Sequence, residues 1–229
     1  MIIIAHRCGT DKFAEQTIPA ARFSLENGAD FVEVDIRFTA DGHPVVIHDP
    51  TPKKLYGVSK PVCEMTMTEF LALRRTADKA VCGHSFYDYL ECGIDRMLFH
   101  CKEGGEKLVK VLDLCRDYSI LDKVVFGLQS VSDVRLVKAY GDVKVLAFMP
   151  DAKLIQDFAS AGADIIRLWE GWCTQENIDE VKATGRQLWI MSDSPTVGEV
   201  TDGCYEFYKN CGADGILVNK ILPAVEIFG

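Results

Sequence analysis

The feature of this sequence that most constrains its fold is a repeated alternation between two kinds of segment. Short runs rich in β-branched residues alternate with longer stretches whose apolar residues follow a helical period. The runs predict nine candidate strands, at 2–5, 31–36, 44–48, 97–101, 124–128, 143–148, 164–168, 187–191 and 215–218. The helical stretches between them cover 17–27, 66–75, 106–118, 132–140, 152–161, 174–184 and 197–211. Such alternation is typical of βαβ units around a parallel sheet.

The number of alternating segments favours an α/β fold of one particular type. Nine candidate strands with about seven helices fit a (β/α)8 TIM barrel better than a five- or six-stranded open sheet, and one candidate is then a minor element. The link between the second and third candidates, around Asp41-Gly42, is too short for a helix, so we expect the barrel to be distorted there. No Pro-rich or Gly/Ser-rich linker divides the chain, so residues 1–229 are predicted to form a single domain.

Charge and cysteine usage narrow the class of partner. The formal net charge of −9 argues against nucleic acid and anionic membranes, both of which favour a basic face. No apolar run approaches the roughly 20 residues of a membrane span, and the first residues lack the basic region of a signal peptide. The nine cysteines form no CxxC pair, which predicts reduced thiols in a cytoplasm. We therefore expect a cytoplasmic protein with a small-molecule ligand, and the sequence does not indicate its oligomeric state.

The second candidate strand carries two carboxylates on one face. In the run 31–36, Glu33 and Asp35 alternate with apolar residues, so their side chains share a face of the strand. Two carboxylates on a barrel's inner face repel each other and lose hydration unless a cation or a basic partner lies between them. A divalent metal ion and an arginine pair are both compatible with this pattern.

Other polar residues occur at further predicted strand ends, where TIM-barrel active sites lie. They are His6 with Arg7, His48 with Asp49, and His100 with Lys102. Two histidines that exchange a proton, a metal ion, and an Arg with a Lys to hold an anion indicate phosphoryl-ester hydrolysis. The sequence lacks the GxGxxG, GxxxxGK[ST] and GxSxG motifs, so dinucleotide, Walker-type nucleotide and nucleophile-elbow chemistry lose their main support. Two carboxylates on one strand also do not suit a glycosidase.

These residues, in this order, resemble the glycerophosphodiester phosphodiesterase family of TIM-barrel phosphohydrolases. The segments that carry the resemblance are AHRCG at 5–9, AEQT at 14–17, NGADFVEVD at 27–35, DGHPVVIHD at 41–49, LWIMSD at 188–193 and GADGILVN at 212–219. The resemblance spans almost the whole chain, and the first fifty residues carry most of its specificity. It implies cleavage of glycerophosphodiesters to sn-glycerol 3-phosphate and a free alcohol.

The resemblance implies a role for each matching position. His6 and His48 match the family's general acid and base, and Arg7 matches an arginine that contacts the phosphate. Lys102 falls where the family's IEIK pattern has a lysine that contacts the phosphate. Trp189 falls on an aromatic that borders the pocket for the alcohol.

The implied metal site departs from the family at one ligand. Glu33 and Asp35 match two ligands of a divalent cation, usually magnesium or calcium, but His100 stands where the family has a third, glutamate ligand. Imidazole is a poor ligand for magnesium and calcium and a better one for manganese, zinc or iron. We therefore expect a Glu33–Asp35–His100 site that holds a softer metal such as manganese or zinc. Gln16 is a smaller departure, since the family has Asn there.

Two other readings stay open at this point. Cleavage of a lysophospholipid in the manner of a phospholipase D needs a large apolar mouth, whereas the insertion after His48 is short. Alternatively, His100 has ended metal binding, and the chain is a weak or inactive relative that binds phosphate esters. The sequence also does not decide whether water or the substrate's own 2-hydroxyl attacks the phosphorus.

Overall fold

Parallel strands in this chain pair side by side until the last strand returns to the first. The computed structural model describes residues 1–193, 195–201 and 203–229. Its strands are β1 (Ile2–Ala5), β2 (Phe31–Phe38), β3 (Pro44–Val46), β4 (His84–Ser85), β5 (Met97–Cys101), β6 (Val125–Leu128), β7 (Lys144–Ala147), β8 (Ile165–Trp169), β9 (Gln187–Met191) and β10 (Gly215–Val218). Around the barrel the order is β1, β2, β5, β6, β7, β8, β9 and β10, and β10 pairs with β1. The predicted (β/α)8 TIM barrel is confirmed.

Helices lie between the barrel strands, within the segment from β3 to β4, and after β10. They are α1 (Ile18–Glu26), α2 (Lys53–Tyr56), α3 (Met67–Leu71), α4 (Phe86–Glu91), α5 (Glu106–Asp117), α6 (Val131–Tyr140), α7 (Ile155–Ala161), α8 (Gln175–Ala183), α9 (Cys204–Asn210) and α10 (Ile221–Phe228). Several begin at a side-chain cap, as where the Ser130 hydroxyl accepts a hydrogen bond of 3.1 Å from the Asp133 amide at the start of α6. Across the described ranges, no helix has both the length and the apolar character needed to cross a membrane.

The candidate strand at 44–48 proves to be the element outside the barrel. The part of this segment that forms a strand is β3, which pairs antiparallel with the end of β2 and with the short β4. A link as short as the one between β2 and β3 permits only a hairpin, because a parallel crossover needs a dozen or more residues. The hairpin closes over its own small apolar cluster, formed by Val45, Ile47, Tyr56, Val62, Met65 and Phe70. The link is free of helix, as predicted, but it leads out of the barrel instead of to the next barrel strand.

Alternation along the strands divides the side chains into two layers. Outward-facing apolar residues pack against the helices in the main core. Inward-facing residues fill the barrel with a second cluster, whose upper members are Phe148 and Met191 and whose other members are Ile4, Leu98, Val125, Leu146, Ile165, Trp189 and Leu217. Above that cluster, at the carboxyl ends of the strands, the inward positions become polar. The fold therefore sets polar groups on an apolar floor that excludes water from below.

Gly127 on β6 leaves the space in which a neighbouring aromatic ring lies. A Cβ at this position would overlap the Phe148 ring edge. That ring stacks on His100, with centroids 4.0 Å apart and planes 17° apart, so it has little room to move away. The absence of a side chain at Gly127 thus fixes how Phe148 supports the upper part of β5.

We expect Gly127→Ala to lower the free energy of unfolding by about 1–3 kcal/mol, because the added methyl overpacks a filled site. Gly141→Ala is the matched control, since its φ of 170° is extended and no atom lies within 4 Å of an added Cβ. The control should change stability by less than about 0.5 kcal/mol. Urea unfolding followed by fluorescence measures both variants. Equal stability of the two would show that Phe148 can shift without cost.

Candidate active site

Two buried carboxylates on β2 form the centre of the site. Glu33 is 1% exposed and Asp35 is fully buried. The Arg7 backbone amide donates a hydrogen bond of 2.7 Å to Glu33 Oε2, and the Gln16 amide nitrogen donates one of 2.6 Å to Asp35 Oδ2. Lys102 Nζ lies 2.7 Å from Asp35 Oδ1. Gln16, which stands where the family has Asn, therefore holds one of the paired carboxylates in place.

His100 joins this pair from the neighbouring strand. It lies opposite Asp35 in the register of β2 and β5. Its Nδ1 is 3.1 Å from Asp35 Oδ1 and 3.4 Å from Glu33 Oε1. Burial and the nearby Lys102 lower the pKa of His100 to about 4, so the imidazole is neutral at pH 7 and retains a lone pair. One donor atom each from Glu33, Asp35 and His100 lies within 4.8 Å of the other two.

The charges around this cluster fit a further cation. Burial would raise the pKa of Asp35, but Lys102 and the contact with His100 hold it well below its usual range. Burial and the charge of Asp35 raise the pKa of Glu33 instead. Lys102 thus compensates one carboxylate and leaves the other short of positive charge. Two carboxylates with one imidazole suit manganese, zinc or iron better than magnesium or calcium.

The arginine pair that the sequence left open does not lie between the two carboxylates. The Arg7 guanidinium lies 3.5 Å from Glu15, and only its backbone amide contacts Glu33. The basic side chain beside the carboxylates is Lys102. Its Nζ is also 2.9 Å from His100 Nδ1, so this ammonium contacts two of the three candidate ligands.

His6 follows β1, and its tautomer is fixed by a neighbour from the end of β10. Asn219 donates from Nδ2 to the Val197 carbonyl at 2.8 Å, which turns its Oδ1 toward His6 Nδ1 at 2.6 Å. Since Oδ1 can only accept, His6 Nδ1 carries the proton and Nε2 carries the lone pair. Burial lowers the pKa of His6, against the opposing effect of Glu33. At Gly198, a Cβ would overlap Asn219 Oδ1, so only glycine allows the loop to approach this closely.

His48 lies just beyond β3 and pairs with its own neighbour. Its Nδ1 is 2.7 Å from Asp49 Oδ1, and about a third of its side chain is exposed. The carboxylate accepts a hydrogen bond from Nδ1, so Nε2 is again the nitrogen that can exchange a proton. Burial lowers the pKa of His48, and the charge of Asp35 opposes this effect. The hairpin outside the barrel therefore supplies the second histidine of the site.

The cavity that these residues share has a volume of about 480 Å³. Of the predicted residues, the structure brings His6, Glu33, His48, His100 and Lys102 into its wall. Asp35 lies directly behind them against Lys102 and His100. The cavity wall also contains residues to which the sequence analysis gave no role, namely Gln129, Phe148, Met149, Pro150, Arg167, Trp169, Met191 and Val197.

Two of the predicted substrate contacts lie elsewhere. Trp189 is 1% exposed in the barrel floor, where its Nε1 donates to Gln187 Oε1 at 3.2 Å. Inward positions on β9 alternate, and the one that reaches the cavity is Met191, two residues nearer the carboxyl end. The expectation that Trp189 borders the pocket is therefore corrected, and Trp169 is the tryptophan in the wall. The Arg7 side chain turns to Glu15 instead of into the cavity.

Comparison with known proteins relates the first half of the chain to one family. Residues 6–112 match the model of the glycerophosphoryl diester phosphodiesterase family. The chain is 40% identical over 75 residues to glycerophosphodiester phosphodiesterase 1 of Rattus norvegicus, which covers 33% of this chain and 23% of that protein. It is 39% identical over 72 residues to the glycerophosphodiester phosphodiesterase of Caldanaerobacter subterraneus, which covers 31% of this chain and 30% of that protein. The matched segments thus span less than a third of these curated relatives.

Solved structures resemble the chain over its whole length. A glycerophosphodiester phosphodiesterase from Agrobacterium tumefaciens matches with a TM-score of 0.80 at 21% identity, covering 98% of this chain and 99% of that one. An Oleispira antarctica phosphodiesterase, solved with the product sn-glycerol-3-phosphate, matches with a TM-score of 0.83 at 14% identity. That match covers 99% of this chain and 97% of the other. At these identities the structures establish the fold.

We expect Gln16→Leu to lower the free energy of unfolding by about 1–3 kcal/mol, because the buried Asp35 carboxylate loses a donor. Gln129→Leu is the matched control, since the Gln129 side chain is exposed although its amide lies 3.1 Å from His100. The control should change stability by less than about 0.5 kcal/mol. Urea titration of both variants at pH 7 measures the difference. An unchanged Gln16→Leu midpoint would contradict a structural role for this amide.

Proposed function

We propose that this chain is a glycerophosphodiester phosphodiesterase that hydrolyses small glycerophosphodiesters to sn-glycerol 3-phosphate and an alcohol. The match of residues 6–112 to that family's model and the similarity of the same region to curated relatives support the proposal. The observation that carries the proposal is the pair His6 and His48, which line one cavity beside a buried cluster with the chemistry of a metal site. The activity places the chain in glycerol and lipid metabolism. Its nine cysteines are free thiols, which supports a reducing, cytoplasmic setting.

The two histidines differ in the group that accepts a hydrogen bond from Nδ1, and this difference assigns their roles in proton transfer. Each donates from Nδ1 to a fixed acceptor, so each has Nε2 for the substrate. His48 has a carboxylate as its partner, which stabilises the imidazolium, whereas the amide of Asn219 favours a neutral His6. We therefore assign His48 as the general acid that protonates the leaving alcohol, and His6 as the general base that accepts the proton of the attacking oxygen, either of water or of the substrate's 2-hydroxyl, whose cyclic phosphate product water then opens. Proton transfer by such groups contributes about 10²–10⁴-fold to a rate.

The anionic phosphodiester needs positive charge close to its oxygens. Lys102 reaches the cavity wall and provides an ammonium next to the proposed metal ligands. Glu33, Asp35 and His100 are the residues that would hold a divalent cation, which when bound would polarise the phosphoryl oxygens. The Oleispira antarctica structure contains sn-glycerol-3-phosphate, and a product of that class fits within a cavity of about 480 Å³. Arg7 acts in this proposal through its backbone amide on Glu33.

We expect the protein, supplied with manganese, to release sn-glycerol 3-phosphate from sn-glycero-3-phosphoethanolamine. His6→Ala and His48→Ala should each lower kcat by about 10²–10⁴-fold, because each removes one proton-transfer step. A coupled glycerol 3-phosphate dehydrogenase assay measures the rates.

His43→Ala is the matched histidine control, since the His43 ring lies against Tyr87 outside the cavity. It should retain the rate of the unsubstituted protein. Turnover of lysophosphatidylcholine instead of the glycerophosphodiester would favour the phospholipase D-like alternative. Binding of glycerol 3-phosphate without any turnover would favour an inactive relative.

The metal assignment has its own test. Protein purified without chelator and dialysed against equal manganese, zinc and magnesium should retain manganese or zinc, because an imidazole completes the ligand set. His100→Glu restores a third oxygen donor and should shift retention toward magnesium. Elemental analysis of both proteins measures the ratio of metal to chain. Equal metal content in the unsubstituted protein and in the double variant Glu33→Gln/Asp35→Asn would exclude this cluster as the site.

A further inference from the structure

A buried cation faces the cavity from the side opposite the carboxylates. Arg167 on β8 is 2% exposed, yet its side chain lines the same cavity as His6 and His100. Its Nε and Nη1 atoms have no hydrogen-bond partner, and it takes part in no ion pair, among the residues that the structure describes. Burial lowers the pKa of Arg167 to about 9, which leaves the guanidinium charged at pH 7. A buried charge without a partner is costly, so its presence needs an explanation.

The immediate surroundings of Arg167 hold the guanidinium and offset its charge only in part, since Asp193 acts on it without forming an ion pair among the described residues. Its Cζ lies 3.8 Å from the ring centroid of Trp169, 5.3 Å from that of Phe148 and 5.8 Å from that of Trp172. Aromatic faces attract a cation but accept none of its directed hydrogen bonds. The aromatic rings therefore fix the plane of the guanidinium without accepting hydrogen bonds from its N–H groups. Planar guanidinium donors match carboxylate and phosphate oxygens.

The position in the barrel separates this cation from the proposed reaction centre. Four steps around the closed sheet lead from β2 to β8 in either direction, so Arg167 lies across the barrel from Glu33 and Asp35. Between them, the Phe148 ring contacts both His100 and Arg167. An anion bound at Arg167 is thus a different group from the phosphodiester held by Lys102 and the histidines. In a cavity of about 480 Å³, one small molecule can reach both sides.

We propose that Arg167 binds a second negative group, a carboxylate or a phosphate, on the alcohol portion of the substrate. The proposal rests on the function proposed above and narrows it to glycerophosphodiesters whose leaving alcohol is itself anionic. Trp169 and Phe148 position the guanidinium, and the anion supplies a charge partner for it.

Matched substrate pairs test the proposal, because each pair differs only in the anionic group. One pair is sn-glycero-3-phosphoserine with sn-glycero-3-phosphoethanolamine, which isolates a carboxylate. The other is sn-glycero-3-phosphoinositol 4-phosphate with sn-glycero-3-phosphoinositol, which isolates a phosphate. We expect kcat/KM to favour the anionic member of at least one pair by about 10–100-fold, the range of a charge-assisted hydrogen-bonded pair. Which pair responds identifies the group.

Arg167→Gln should remove that preference, so the ratio of the two kcat/KM values should fall to within about threefold of one. Arg186→Gln is the matched control, because Arg186 is half-buried at the opposite end of the barrel, beside β9. Its ratio should equal that of the unsubstituted protein. If Arg167→Gln lowers kcat/KM equally for both substrates of a pair, the proposal is overturned. An equal loss would indicate contact with the scissile phosphate or loss of structure. A ratio near one in the unsubstituted protein would also overturn it.

A binding measurement separates failure of this proposal from failure of the proposed function. Calorimetric titration of chelator-treated protein with sn-glycero-3-phosphoserine and sn-glycero-3-phosphoinositol 4-phosphate requires no turnover. We expect Arg167→Gln to weaken binding of the responding ligand by about tenfold or more. If no substrate is turned over but this loss appears, the proposed hydrolysis fails and the anion subsite stands. If turnover occurs and binding of both ligands is the same in the two proteins, the subsite fails and the hydrolysis stands.

Discussion

The burial of two carboxylates on adjacent inward positions of β2 is the constraint on which the rest of the site depends. Glu33 and Asp35 lie on an apolar floor that denies them water, so each needs a dedicated donor or cation. Two separate parts of the chain supply these groups, namely the loop after β1, with Arg7 and Gln16, and the end of β5, with Lys102. Removal of any one of the donors would leave an uncompensated charge in the barrel, so the architecture above the floor is determined by this pair.

The loop after β1 meets this requirement through unusual backbone conformations. Arg7, Cys8 and Gln16 have φ values of 51°, 69° and 56°, which residues other than glycine rarely adopt. The Gln16 backbone N–H donates to the Arg7 carbonyl at 2.8 Å, which closes the loop upon itself. The closed loop directs the Arg7 N–H at Glu33 and the Gln16 side chain at Asp35. The hydrogen bonds from this loop to Glu33 and Asp35 therefore also stabilise its strained backbone.

Much of the barrel could be predicted from the sequence, because strand and helix periods differ and β-branched runs are easily recognised. The exception is 44–48, whose residues are as apolar and β-branched as those of a barrel strand. Only the antiparallel pairing of β3 with β2 distinguishes it, and that pairing is a long-range property. The helix α10 has no counterpart among the predicted stretches, because it is apolar almost throughout and lacks a polar face.

Site residues could be predicted where polar side chains interrupt an apolar strand. They were harder to predict where only the position along the strand determines whether a side chain reaches the cavity. Glu33, Asp35 and His100 stand out against apolar neighbours, and the structure brings them together. Trp189 was misplaced because an inward position near the floor and one near the rim look alike in sequence. Arg167 has the same inward alternation on β8 and could have been found by that criterion.

The charges of the cavity explain how a chain of net charge −9 accommodates an anionic ligand. Across the barrel, Glu33 and Asp35 are opposed by Lys102 and Arg167, so the buried formal charges cancel. Neither histidine changes this balance, because burial lowers the pKa of His6, which keeps it neutral, and a protonated His48 is paired with the Asp49 carboxylate. A divalent cation held by the carboxylates and His100 would therefore leave a surplus of two positive charges. A phosphodiester carries one negative charge, so a second anionic group on the same substrate is what would balance that surplus.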